Sequence, residues 1–163
     1  AALPIFDVLT LSATGTEMDP FAVISDMSKN EKWGTGSPYM VPTMSILNPE
    51  YTFSVSKKQT AAGTADMISH ICENYFTNVK NADVQARFAE GLLKNCFKYG
   101  PIALEEPDNY DARANLMWTA SMAINGILSD GAEVSWCVHP MESMVLWAMD
   151  VHRHGAYILW NMS

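Results

Sequence analysis

A β-rich start followed by an all-helical body is the architecture expected of this 163-residue chain. Three observations carry that expectation. Through residue 50 the apolar residues come in short, β-branched segments separated by small polar loops. From Ser56 onward they recur with the period of an α-helix. Strands and helices therefore fall in blocks rather than alternating, which points to two different parts with a boundary near residues 50 to 56.

The elements follow in order. "LPIFDVLTL" reads as a first strand and breaks into the loop "SATGTEMDP". "FAVISDM" reads as a second, ended by "SKNEK", and "VPTMSILNPE" as a third, stopped by Asn48-Pro49. Ser56 is an N-cap for a helix with Ala61, Ala65, Ile68 and Cys72 on its apolar face. A second helix opens at Asn81 or Ala82, places Val84, Phe88, Leu92 and Cys96 on one face, and stops at Gly100-Pro101. "YDARANLMWTASMAINGILSDG" is a third, apolar around most of its circumference and hence central. A fourth helical segment covers Glu133 to Met149, kinked at Pro140.

Composition narrows the function. Net charge is −8, with ten scattered Lys and Arg, so there is no basic stripe to neutralise phosphates. Neither nucleic acid nor an anionic membrane surface is an expected partner. No apolar run has the length of a membrane span, and the first residues lack a basic signal-peptide region. Cys72, Cys96 and Cys137 are odd in number and widely spaced, which fits reduced thiols in a cytoplasmic protein. The apolar final stretch, "MVLWAMDVHRHGAYILWNMS", leads us to expect a segment of a longer chain.

The residues with chemistry to offer are few. Asp66 and His70 stand four apart in "GTADMISHICENYF", so both project from one helix face. Such a pair serves as an ion pair, a catalytic dyad or half of a metal site, and a lone helical His is often only a satisfied core residue. Glu73 is spaced to fix the other imidazole nitrogen, although its default is to face solvent. His139, His152 and His154 lie in the last 25 residues. With Asp66 and His70 they make the mixed N/O donor set that Zn(II) or Fe(II) accepts. The hydroxyls of Thr10, Ser12, Thr14 and Thr16 suit a phosphate or a cofactor amide, or simply a turn. Lys32 is by default a solvated charge. Met67, Trp136, Met141 and Trp147 would surround a short aliphatic substrate or serve equally as core.

With these residues laid out, the chain resembles the iron-containing alcohol dehydrogenases, in particular their butanol-dehydrogenase-like branch. "LTLSATGTEMD" is similar to that family's T-x-x-A-T-G-S-E loop, and "SILNPEYTFSVSKKQTAAGTADMISHICENYF" to its segment entering the metal helix. "RFAEGLLKNC", "YDARANLMWTASMAINGIL" and "SWCVHPME" continue the likeness along the chain. The resemblance implies an α/β N-terminal part, the end of a nucleotide-binding domain, over residues 1–54. It implies an all-α metal-binding domain over 55–163, both parts being incomplete. It also implies metal ligands at Asp66, His70, His139 and His154, with cofactor contacts from Thr10, Ser12, Thr14 and Lys32. No catalytic residue beyond the metal ligands is implied.

The implied activity is reversible hydride transfer between a primary alcohol or aldehyde and NAD or NADP at an Fe(II) or Zn(II) site, in a cytoplasmic homodimer. A non-catalytic remnant or metal-binding helical module is the competing reading. Three departures from the family pattern stand out. No Gly-Gly-Gly-Ser pyrophosphate cradle is present, Ser143 replaces a second His in "HPMESM", and the His139–His154 spacing is one residue longer than usual. The last departure leaves His152 in "VHRHG" as a rival ligand.

Overall fold

The computed structural model describes residues 3–26, 28–29, 31–77, 79–131 and 134. Among the described residues, the N-terminal part contains four strands, one more than expected. Strand β1 (Phe6–Val8) pairs in parallel with β4 (Met44–Ile46), Phe6 opposite Met44 and Val8 opposite Ile46. Between them in sequence, β2 (Phe21–Asp26) and β3 (Glu31–Gly36) form an antiparallel hairpin. Strand β3 escapes sequence reasoning because "EKWGTG" has no apolar alternation; its partner β2 defines it through the ladder. Gly36 fits opposite Phe21 because it has no side chain, since a Cβ there would come within 2.7 Å of the Phe21 ring. The third expected strand shrinks to Met44–Ile46. Asn48 Oδ1 then accepts the Glu50 N–H at 3.1 Å and opens a 3-10 turn at Pro49–Thr52.

Among the described residues, three helices form the body. Helix α1 (Lys57–Tyr75) starts where expected, with Ser56 Oγ accepting the Gln59 N–H at 3.3 Å. Helix α2 (Asp83–Glu105) does not stop at Gly100-Pro101 but runs through it. Proline removes one helical N–H at that point, on a stretch where Pro101 and Phe97 are exposed. Gly100 is required for another reason: a Cβ would lie 2.9 Å from Thr64 Cγ2, so α1 and α2 touch closely there. Helix α3 (Tyr110–Ile124), capped by Asn109 Oδ1 on the Ala112 N–H, packs against both α1 and α2. The expected fourth helical segment, Glu133 to Met149, lies outside the described residues apart from Val134.

The core is helical: Met67 and Ile71 of α1, Leu92, Cys96 and Ala103 of α2, and Leu116 and Ala120 of α3. Helix α1 turns a different face inward from the one expected. Ala61 and Ala65 are exposed and Ile68 and Cys72 half-buried, whereas Thr60, Gly63, Asp66, His70, Glu73 and Asn74 are buried with Met67 and Ile71. On α2, Leu92 and Cys96 are buried as expected, while Val84 and Phe88 are exposed. Burial pushes the Cys96 thiol up to about 12.

The loop between β1 and β2 is clamped onto these helices. A Cβ on Gly63 would sit 2.5 Å from the Ser12 carbonyl oxygen, and one on Gly15 would sit 2.8 Å from the Ala120 carbonyl oxygen. Gly15 also has φ +70°, a backbone conformation that glycine adopts without a Cβ penalty. Beyond it the loop buries two carboxyl groups. Ser121 Oγ donates to Glu17 Oε1, and the Phe21 N–H donates to Asp19 Oδ1 at 2.8 Å. Burial raises both carboxyls above their ordinary range; Asp19, with Glu17 nearby adding repulsion, reaches about 6.

Two predictions follow from this packing. Gly63→Ala should destabilise the protein by about 1–3 kcal/mol in thermal unfolding, because its methyl group meets fixed backbone. Gly91→Ala, in exposed α2 with nothing within 4 Å of the added Cβ, should instead stabilise by about 0.5–1 kcal/mol. Asp19 supplies a pH signature. The folded state holds its proton more tightly than the unfolded chain, so its contribution to stability falls as pH rises from about 3.8 to about 6. Asp19→Asn keeps the acceptor for Phe21 and should remove that slope. The gain at pH 7, read from denaturant unfolding at several pH values, should be on the order of 1 kcal/mol.

Candidate functional site

Helix periodicity assembles the site. Residues 63, 66, 70 and 73 advance by three or four, so Gly63, Asp66, His70 and Glu73 share one face of α1. Asp66 and His70 are each 5% exposed, and Glu73 is 1% exposed. His70 Nδ1 and Asp66 Oδ2 lie 3.9 Å apart, a charge-pair distance beyond a hydrogen bond. Glu73 does not face solvent, its sequence-level default. Seven residues are almost two full turns, so burying Asp66 buries Glu73 directly below it. Asn74, the next residue, anchors this end of the helix through Nδ2 to the His70 carbonyl at 2.8 Å and the Ala123 carbonyl at 3.3 Å.

Two buried carboxyl groups and an imidazole on one face are costly unless something in the folded protein compensates them. Compensation by a metal ion fits the chemistry of Asp66 and His70. One oxygen and one nitrogen donor suit Fe(II) or Zn(II). Two donors each about 2.1 Å from a tetrahedral ion stand about 3.4 Å apart, so the pair at 3.9 Å would close by about half an ångström to share one ion. Among the described residues, no group of three or more His, Cys, Asp and Glu is clustered to hold a metal. The other expected ligands, His139 and His154, and the rival His152, lie outside the described residues, as do Trp136, Met141, Ser143 and Trp147. Met67 is 1% exposed and belongs to the core rather than to a substrate surface.

The expected cofactor residues separate into different environments. Thr10 is exposed, Ser12 is half-buried and Thr14 is 8% exposed. Lys32 lies in β3, paired through the backbone with Ser25 of β2. The loop carrying the three hydroxyl residues rests on α1 at Gly63, one turn before Asp66. Thus the hydroxyl loop and the acidic–imidazole face meet through a backbone contact. Sequence reasoning missed Glu17 and its bond to Ser121, which ties the same loop to α3. The signal was available as an acidic residue inside an otherwise small, hydroxyl-rich loop, but the spacing to Ser121 spans most of the chain.

Residues 1–49 match the family model described as iron-containing alcohol dehydrogenase. Residues 60–159 match the one described as Fe-containing alcohol dehydrogenase family, C-terminal. The chain is 55% identical over 158 residues to NADH-dependent butanol dehydrogenase A of Clostridium acetobutylicum, covering 96% of this chain and 41% of that protein. It is 42% identical over 166 residues to an NADPH-dependent aldehyde reductase of Escherichia coli, covering 99% of this chain and 43% of that one. The crystal structure of NADH-dependent butanol dehydrogenase A from Thermotoga maritima superimposes with a TM-score of 0.85 at 42% identity, over 96% of this chain and 39% of that one. Sequence matches along both parts of the chain and a shared fold give one conclusion: this chain belongs to the iron-containing alcohol dehydrogenase family.

Proposed function

We propose that the protein of which these residues form part is an oxidoreductase that interconverts a primary alcohol and its aldehyde, using NAD or NADP and a divalent metal. The observation that carries this reading is the buried Asp66–His70 pair on α1, one turn from the loop that seats Ser12 against Gly63. Membership of a family with NADH-dependent and NADPH-dependent relatives supports it. The metal is Fe(II) in this proposal, with Zn(II) the alternative that the same donors accept. When bound, metal and nicotinamide supply Lewis-acid polarisation of a substrate oxygen and the hydride.

The chain's own residues do the rest. Asp66 and His70 hold the metal, with His139 and His154 as the further ligands. Burial of the pair excludes water and strengthens electrostatic interactions there. Glu73, below them on the same face, positions the ligands. Thr10, Ser12, Thr14 and Lys32 contact the cofactor, and the clamp at Gly15, Gly63 and Glu17 fixes their loop relative to α1. The division into a nucleotide-binding part, 1–54, and a metal-binding part, 55–163, is also proposed. It is supported by the break between the two matched family regions, at residues 49 and 60. A homodimer and a cytoplasmic location complete the reading. Among the described residues, no helix is long and apolar enough to cross a membrane.

The test is metal content by mass spectrometry on protein purified without chelator and without oxygen, together with NAD(P)H-dependent reduction of a short aliphatic aldehyde. About one Fe or Zn per chain is expected. Asp66→Ala and His70→Ala should each lower occupancy at least tenfold and abolish turnover, while circular dichroism shows the helices retained. Full metal content and activity in either variant would refute the ligand assignment.

A further inference from the structure

A second polar site lies beside the first two turns of α1. A cavity of about 10 Å³, room for one water-sized occupant, is lined by Leu11, Ser12, Thr60, Thr64, Arg113 and Leu116 among others. Arg113 is 4% exposed, unusual for a guanidinium. Its Nε donates to the Pro107 carbonyl at 2.8 Å and its Nη1 to Thr60 Oγ1 at 2.9 Å. Its Nη2 is buried with no hydrogen-bond partner among the described residues, and the same holds for Ser12 Oγ. None of the residues lining the cavity is acidic, so the one formal charge at its wall is positive. Gln59 and Thr60 also bring the first turn of α1, the positive end of that helix dipole, to the cavity.

We propose that this cavity binds a single halide-sized inorganic anion, chloride in solution, held by Arg113 Nη2 and Ser12 Oγ. The charge balance selects an anion over water. A neutral water would satisfy one N–H but leave the buried guanidinium without a counter-charge among the described residues, and burial already works against its charged form. The anion would link the β1–β2 loop, through Ser12, to α3, through Arg113. It acts there as a structural ion apart from the proposed metal, and it assigns Ser12 Oγ to the anion in place of the cofactor contact proposed above.

Thermal unfolding of the purified protein in sodium chloride and in sodium gluconate, at equal ionic strength, separates site binding from screening. The midpoint should rise along a saturating curve in chloride above its value in gluconate. Arg113→Gln should raise the half-saturating chloride concentration at least tenfold. Because that variant removes a buried charge and can fail to fold, crystals of the unmodified protein grown in bromide give a second reading. An anomalous bromine peak within hydrogen-bond reach of Arg113 Nη2 is expected. Coincident chloride and gluconate curves, or a water with no anomalous signal at that position, would overturn the proposal.

Discussion

The structure depends on one close contact, the seating of the β1–β2 loop on the helical body. Two missing side chains make it possible. At Gly63 the loop backbone approaches α1 within the space a methyl group would take, and at Gly15 it approaches α3 in the same way. Glu17 then locks the seat from below through Ser121. Backbone pressed on backbone leaves little room for sliding, so the hydroxyl-bearing loop holds a fixed position relative to the acidic–imidazole face of α1. A site assembled from strands and helices that are distant in sequence needs such a fixed joint.

The joint carries an energetic cost that shapes its chemistry. Glu17, Asp19 and the α1 face all take carboxyl groups out of water. Where a hydroxyl or a backbone N–H meets the carboxyl, as at Glu17 and Asp19, the protein tolerates a raised affinity for protons. Buried polar groups at a functional face are a common compromise between stability and activity. Here they lie beside an apolar helical core of small and medium side chains, where Ala89, Ala103, Ala112, Ala120 and Ala123 let the three helices approach closely.

Much of this was legible in the sequence, and the failures have physical causes. Ser56 and Asn48-Pro49 carry local capping information, so the start of α1 and the end of the strand region could be read directly. Gly100-Pro101 misled because glycine there serves a helix crossing with Thr64 rather than a C-cap. Strand β3 has almost no apolar signal of its own. The inward face of α1 was misjudged because an apolar stripe through Ala61 and Ile68 competes with a polar one through Asp66 and His70. Tertiary contacts with the loop and α3 decide for the polar stripe, and no local rule contains those contacts. The pairing of Asp66 with His70 needed only helical spacing, whereas the Thr60–Arg113 and Glu17–Ser121 bonds join residues far apart in the chain.

Cys96 draws a further consequence from the core it occupies. At 1% exposure and with its thiol held up to about 12, it offers almost no thiolate at neutral pH and no surface to a reagent. Any alkylation of this sulfur must wait until α2 parts from α1 and α3. Cys96 is therefore a built-in clock for the opening of the helical body, its rate of alkylation reporting how often the three helices separate.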